Sequence, residues 1–244
     1  MTYSDFVTKI EMSHSSNYGG WRDISKIKYL VIHYTANDGD TDEANAKYFK
    51  TPNRKASAHF FVDDNSITQT VPITNVAWHC GGSKYKNSNG GKYYEIVTNT
   101  NSIGIEICDC EKNGTYNMTV ATRRNVIKLV RALMHDFKIP IENVVRHYDV
   151  TGKLCPAYFV DDVAWAMFKR EIKKQTDPST FRVRVKVDLN IRKQPTVNSD
   201  KVGCITDRGT YTIVDVKYNG STPWGKLKSG MGWISLNEKY VWRI

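Results

Sequence analysis

Hydrophobic and polar positions follow two rhythms along this chain, and the change from one to the other marks its organisation. Residues 27–35, IKYLVIHYT, are a continuous apolar run rich in Ile, Val and Tyr, the pattern of a buried strand, with His33 at its C-terminal end before a polar loop. TDEANAKYFKTP then has Thr41 placed as an N-cap and stops before Pro52, which predicts a helix. SAHFFVDDNSITQTV reads as two strands turning at Asp64-Asn65, a hairpin. Residues 81–101 are rich in Gly, Ser, Asn and Tyr and predict a long loop able to line a cleft. In NSIGIEICD the residues Ile103, Ile105 and Ile107 alternate with Gly104 and Glu106, so this segment should be a strand with Glu106 facing away from the isoleucines. Val126, Ile127, Val130, Leu133, Met134 and Phe137 recur at helical spacing and predict an amphipathic helix over about 119–137, ending before Pro140. NVVRH reads as a short strand leading into His147, and DVAWAMFKREIKK as a closing helix. Residues 1–23 show no period and read as an irregular lead-in. Strands and helices in this order predict an α/β unit with a mixed central sheet flanked by helices.

Near QTDPST, residues 175–180, the rhythm changes for good. FRVRVKVDLNIR alternates without a break from Phe181 to Arg192, a half-buried strand, and turn signals recur at QPTVNSD, TDRGT and YNGSTPWG. Short β segments over about 65 residues predict a small all-β barrel. The expected organisation is a unit over 1–174, a linker over 175–181 and a barrel over 182–244. A length of 244 residues allows a large and a small unit, and no apolar segment approaches the ~18 residues that would span a bilayer.

Charge adds a broad preference. The formal net charge is +10. The segment from 176 onward holds 12 Lys and Arg against 6 Asp and Glu, a net +6. A basic surface favours polyanions, nucleic acid or the anionic polymers of a bacterial wall alike. The basic residues are scattered, with no helix-turn-helix or RNA-binding signature, so nucleic acid is the weaker reading. Five cysteines, at 80, 108, 110, 155 and 204, form no disulfide framework and are expected as thiols. A second metal site around Cys108, Asp109 and Cys110 is a weaker alternative to buried or edge thiols there.

HYDVTGKLCP, residues 147–156, carries the most specific chemistry. Eight positions separate His147 from Cys155, and Lys153 lies two before the cysteine. An imidazole and a thiolate suit a borderline-soft divalent metal such as zinc. With no second CxxC, the pair argues for an open site completed from elsewhere. The bland alternative is a surface histidine and a buried cysteine with no common role. His33 is the partner that the strand-end position offers, although a histidine there can be a plain polar terminator.

VIHYTA (31–36), SAHFFVD (57–63), AWHCGG (77–82), NSIGIEIC (101–108) and HYDVTGKLCP (147–156) together resemble, over about residues 24–172, the zinc-dependent N-acetylmuramoyl-L-alanine amidases of type 2. That family shares the peptidoglycan recognition protein fold and includes many phage endolysins. The resemblance implies a Zn2+ ion held by His33, His147 and Cys155, with a fourth position for water. It also implies catalytic roles for Glu106 as proton carrier and for Lys153 as stabiliser of the oxyanion. One branch uses a tyrosine just before the SAHF histidine, where this chain has Ala58, so that role is not carried over. Trp78 and His79 are expected to line the substrate groove, with His79 alternatively a spare histidine near the metal. His59 is expected as a packed strand residue, and His14 and His135 as surface residues.

LNIRKQPTVNSDKVGCI and WGKLKSGMGWIS resemble the bacterial SH3-type domains of cell-wall hydrolases. This implies that the barrel holds the enzyme on the wall, with Tyr211, Tyr218, Trp224, Trp233 and Tyr240 divided between a contact face and the core. The expected partner is bacterial peptidoglycan, with no nucleic acid and no membrane insertion; oligomeric state has no signature in the sequence. MTYSDFVTKIEMSHSS lacks a basic start and an apolar core, so no secretory signal is expected. A lysin kept in the host cytoplasm and released to the wall through a holin lesion fits. The rival reading is a protein of the same fold that binds peptidoglycan without cutting it. Such members tend to lose the metal cysteine, whereas Cys155 is present here.

Overall fold

The computed structural model describes residues 2–81, 83–108, 110–112, 115–173, 180–219 and 222–244. They form two compact units, 1–173 and 174–244. Most of the expected linker over 175–181, residues 175–179, lies outside the described residues, as does Asp109 of the alternative metal site.

The first unit is built from ten strands: β1 (Lys9–Ile10), β2 (Tyr18–Trp21), β3 (Tyr29–Tyr34), β4 (Phe60–Val62), β5 (Ile67–Gln69), β6 (Asn75–Ala77), β7 (Ser102–Ile107), β8 (Cys110–Lys112), β9 (Thr115–Asn117) and β10 (Val144–Arg146). Its helices are α1 (Asp42–Phe49), α2 (Val120–Asp136), α3 (His147–Thr151) and α4 (Asp162–Lys173). Six strands make the main sheet in the order β1-β5-β4-β7-β3-β10. Neighbours run parallel except for the β4-β5 hairpin, so the sheet is mixed, as expected. The lead-in is more regular than its sequence suggests. β1 adds an edge strand beside β5, and β2 pairs with β6. Segments this short carry too few side chains for a period to emerge; their partners in 67–77 define them.

The alternation in β3, β7 and β10 divides the residues between the sheet's two faces. Leu30, Ile32, Ile103, Ile105, Ile107 and Val144 join Val126, Leu129, Leu133 and Phe168 in the main core under α2 and α4. Val31 and Val145 point the other way and pack with Val97 and Val150. His33 and Glu106 share that second face by strand parity. Helix α1 starts at the predicted cap, Thr41 Oγ1 accepting from Ala44 N–H, and α2 is capped in the same way by Thr119, whose Oγ1 accepts from Thr122 N–H.

The second unit is an antiparallel sheet of β11 (Phe181–Val185), β12 (Leu189–Arg192), β13 (Lys201–Ile205), β14 (Thr210–Asn219), β15 (Thr222–Leu227), β16 (Trp233–Ser235) and β17 (Val241–Arg243), in the order β13-β12-β16-β15-β14-β11-β17. The unbroken strand expected over Phe181–Arg192 is two strands. β11 pairs with β14 and β17, whereas β12 pairs with β13 and β16. At the break, Val187 turns outward while Val185 and Leu189 stay buried. Alternation reports which side chains are covered and is blind to a change of hydrogen-bonding partners. Trp224 and Trp233 are buried, whereas Tyr218, Tyr240 and Trp242 are exposed.

Candidate metal centre and active site

Three adjacent parallel strands bring their C-terminal ends together. In the β3–β7 register His33 lies opposite Glu106, and Arg146 at the end of β10 lies opposite Ile32, so His147 follows directly beside His33. Parallel strands present side chains of paired residues on one face, so this register alone juxtaposes the imidazole and the carboxylate. His33 Nδ1 and Glu106 Oε1 are 4.0 Å apart.

The junction that places His147 is held by charge. Buried Arg146 pairs with Asp149 and Asp162 at 2.6 and 2.8 Å and donates to the carbonyl of Phe159 at 2.6 Å. Asp149 in turn accepts the N–H of Arg146, closing the first turn of α3. The loop over 81–101 clamps the same helix, with Tyr93 N–H donating to Asp149 O and Gly91 N–H to Val150 O. A side chain at residue 91 would put its Cβ 2.1 Å from the Asp149 carbonyl oxygen, so only glycine fits this approach. After α3 the chain reverses at Gly152, in the left-handed conformation. The Tyr148 N–H donates to the Cys155 carbonyl, returning the cysteine to the foot of the helix.

One donor atom from each of His33, His147 and Cys155 lies within 4.8 Å of the others, and all three residues are buried. His33 Nδ1 is 3.9 Å from Cys155 Sγ; a tetrahedral zinc ion spaces nitrogen and sulfur ligands about 3.5 Å apart. His147 Nδ1 is buried and has no hydrogen-bond partner. A buried polar atom left this way costs roughly 1–3 kcal/mol, a cost that coordination removes. Two neutral imidazoles and a thiol suit zinc better than calcium or magnesium. These residues therefore fit the ion that the sequence implies.

Burial sets the charge state of the rings. It pushes His147 down to about 4, helped by the nearby Lys153 ammonium. It pushes His79 down to about 3, helped by His147 and Arg22. His33 and His59 are lowered well below the ordinary range for the same main reason. A histidine with its folded pKa below the unfolded value of about 6.5 contributes stability above that value and loses it on acidification. Metal-free protein should therefore weaken between pH 6.5 and 4, by about 2 kcal/mol at pH 5 for each of His147 and His79. Urea midpoints of chelator-treated protein at pH 7.5 and 5 measure this; equal midpoints would contradict the buried neutral rings.

A cleft of about 540 Å³ opens beside these residues, lined among others by Tyr34, Asn45, Tyr48, Phe61, Glu106 and Lys153. The structure thus brings together His33, His147 and Cys155, with Glu106 and Lys153 at the adjoining cleft. Trp78 and His79 are not in this lining. Trp78 is half-buried, with its N–H donating to Ser57 Oγ, and His79 lies against His33, Nδ1 to Nε2 at 3.1 Å. His59 is buried just before β4, where its Nδ1 accepts from Gly104 N–H. His14 and His135 are exposed, and Cys80, Cys108, Cys155 and Cys204 are in no disulfide. Two contributors had no motif. Arg22 is buried and donates to the carbonyls of Ile73 and Ser102. Asn99 Oδ1 accepts the N–H groups of both His79 and Cys80. A signal existed for their neighbourhood in Gly104, an isolated glycine within a strand pattern, which marks a close approach.

N-acetylmuramoyl-L-alanine amidases, as a family, match residues 23–158. The chain belongs to this family. It is 30% identical to the N-acetylmuramoyl-L-alanine amidase BlyA of Bacillus subtilis over 88% of this chain and 67% of BlyA. It is 37% identical to the amidase CwlH of the same species over 62% of this chain and 57% of CwlH. The chain thus spans about two thirds or less of the length of these amidases. Among solved structures, a mutant endolysin from Bacillus subtilis is similar at a TM-score of 0.54 and 33% identity, covering 68% of this chain and 99% of that one. The amidase class, a hydrolase of peptidoglycan, is the one expected from the five motifs, and the mixed sheet with its helices is the fold of that family. No helix among the described residues is long and apolar enough to cross a membrane.

Proposed function

We propose that this amidase cuts the amide between the lactyl group of N-acetylmuramic acid and L-alanine, using zinc held by His33, His147 and Cys155. The observation that carries this reading is the buried convergence of those three donors beside a cleft containing Glu106 and Lys153. A zinc ion held by these three residues would supply an acidified water and Lewis-acid polarisation of the scissile carbonyl. Glu106 then takes a proton from the attacking water and passes it to the departing alanine nitrogen. Its carboxylate, carried on β7, lines the cleft where both steps would take place. Lys153, exposed on the turn before Cys155, reaches the same cleft and offers an ammonium to the oxyanion of the tetrahedral intermediate.

The second unit serves as a wall-binding SH3-type barrel that raises effective concentration by tethering. Its net positive charge and the exposed Tyr218, Tyr240 and Trp242 support that role. The deciding experiment is mass spectrometry of digested bacterial wall, with and without chelator. Free L-alanine amino termini that vanish on chelation are expected. New reducing sugars would indicate a glycosidase, and no release with retained binding would indicate a recognition protein.

A further inference from the structure

Directional hydrogen bonds behind the metal centre settle which nitrogen of His33 is bare. Ser102 Oγ donates to the Thr98 carbonyl at 2.6 Å. A carbonyl only accepts, so the single hydroxyl proton is committed to it. His79 Nε2 lies 3.2 Å from the same oxygen, which therefore accepts from an Nε2–H. A neutral imidazole has one N–H, so His79 Nδ1 carries a lone pair. That lone pair faces His33 Nε2 at 3.1 Å and accepts its proton. His33 Nδ1 is then the bare nitrogen, and it is the atom facing Cys155 Sγ and Glu106 Oε1.

We infer that His79 is a positioning residue, which through Ser102 and Thr98 locks His33 in the tautomer whose Nδ1 is free to bind the metal. The inference rests on the zinc reading above and extends it to residues outside the ligand set. His79 is itself fixed on three sides. Its backbone N–H donates to Asn99 Oδ1, its two ring nitrogens are engaged, and its ring lies on the bare backbone of Gly104. A Cβ at residue 104 would come within 2.5 Å of the His79 ring. His79 meets His33 at Nε2, whereas Glu106 lies nearest Nδ1, so the lock acts on the ligand ring from the side away from the proton carrier. Groups that orient a metal-binding histidine typically alter affinity or activity 10- to 100-fold when removed.

The test reads the tautomer first. Long-range 1H–15N spectra of the metal-free full-length protein should show His33 protonated at Nε2 alone; protonation at Nδ1, or a mixture, overturns the inference without any variant. Zinc affinity is then measured by competition with a chromogenic chelator. His79→Phe fills the space but cannot accept, and should bind zinc roughly 10- to 100-fold more weakly. His79→Asn keeps an acceptor oxygen near the Nδ1 position and should recover most of that loss. Ser102→Ala, which strips the far end of the relay, should show a smaller loss in the same direction and serves if His79→Phe does not fold. Wild-type affinity in folded His79→Phe or Ser102→Ala would refute the lock while leaving the zinc site intact. A wild-type protein that binds no zinc would instead sink the zinc reading itself.

Discussion

Serine in place of Cys155 should abolish wall clearing and zinc retention while the far-ultraviolet circular dichroism stays unchanged. Cys155 is buried, and its backbone is held by the Tyr148 N–H, so the turn does not depend on sulfur. A serine hydroxyl differs in two ways that matter. It stays protonated at neutral pH and is a hard donor, whereas zinc takes thiolate at about 2.3 Å. The loss of affinity should exceed the roughly 100-fold range of an orienting neighbour, since a ligand itself is removed. Dialysis followed by metal analysis gives the result directly. Serine variants that keep stoichiometric zinc and clear walls at the native rate would remove the cysteine from the metal shell.

The second large effect falls on turnover alone. Glu106→Gln should lower kcat roughly 10²- to 10⁴-fold, the usual contribution of a positioned proton carrier, while zinc content and melting temperature hold. Glutamine matches the carboxylate in size and keeps the β7 backbone pairing with β3 and β4. What it lacks is the ability to take a proton and give it back. A variant that loses its zinc would make Glu106 a ligand, and one with native turnover would move the proton transfer elsewhere. The separation of these outcomes follows from geometry, because Glu106 Oε1 stands 4.0 Å from His33 Nδ1, beside the donor cluster rather than within it.

Much of this centre can be read in the chain because its donors sit in chemically distinctive neighbourhoods. His33 ends an apolar strand, and the spacing of Lys153 and Cys155 after His147 needs no tertiary knowledge. The alternation in NSIGIEIC even sets the face of Glu106. Its pairing with His33 was not legible, since register is a property of two strands and the sequence of each is silent about the other. His79 shows the same limit. The AWHCGG motif marks it as notable, yet only the fold reveals that Gly104 leaves room for its ring beside His33. Likewise, the break at Lys186–Asp188 leaves the alternation of apolar and polar residue types intact, although Val187 turns outward there, and so hides in the pattern.

Arg22 sits one residue before the stretch that matches the family, yet its guanidinium grips Ile73 on one side and Ser102 on the other. Ser102 is also the hinge pin of the relay behind His33. A protein trimmed to residues 23–158 would thus lose a keystone that lies just outside the family match, and the damage would surface some distance away, in how firmly the metal is held.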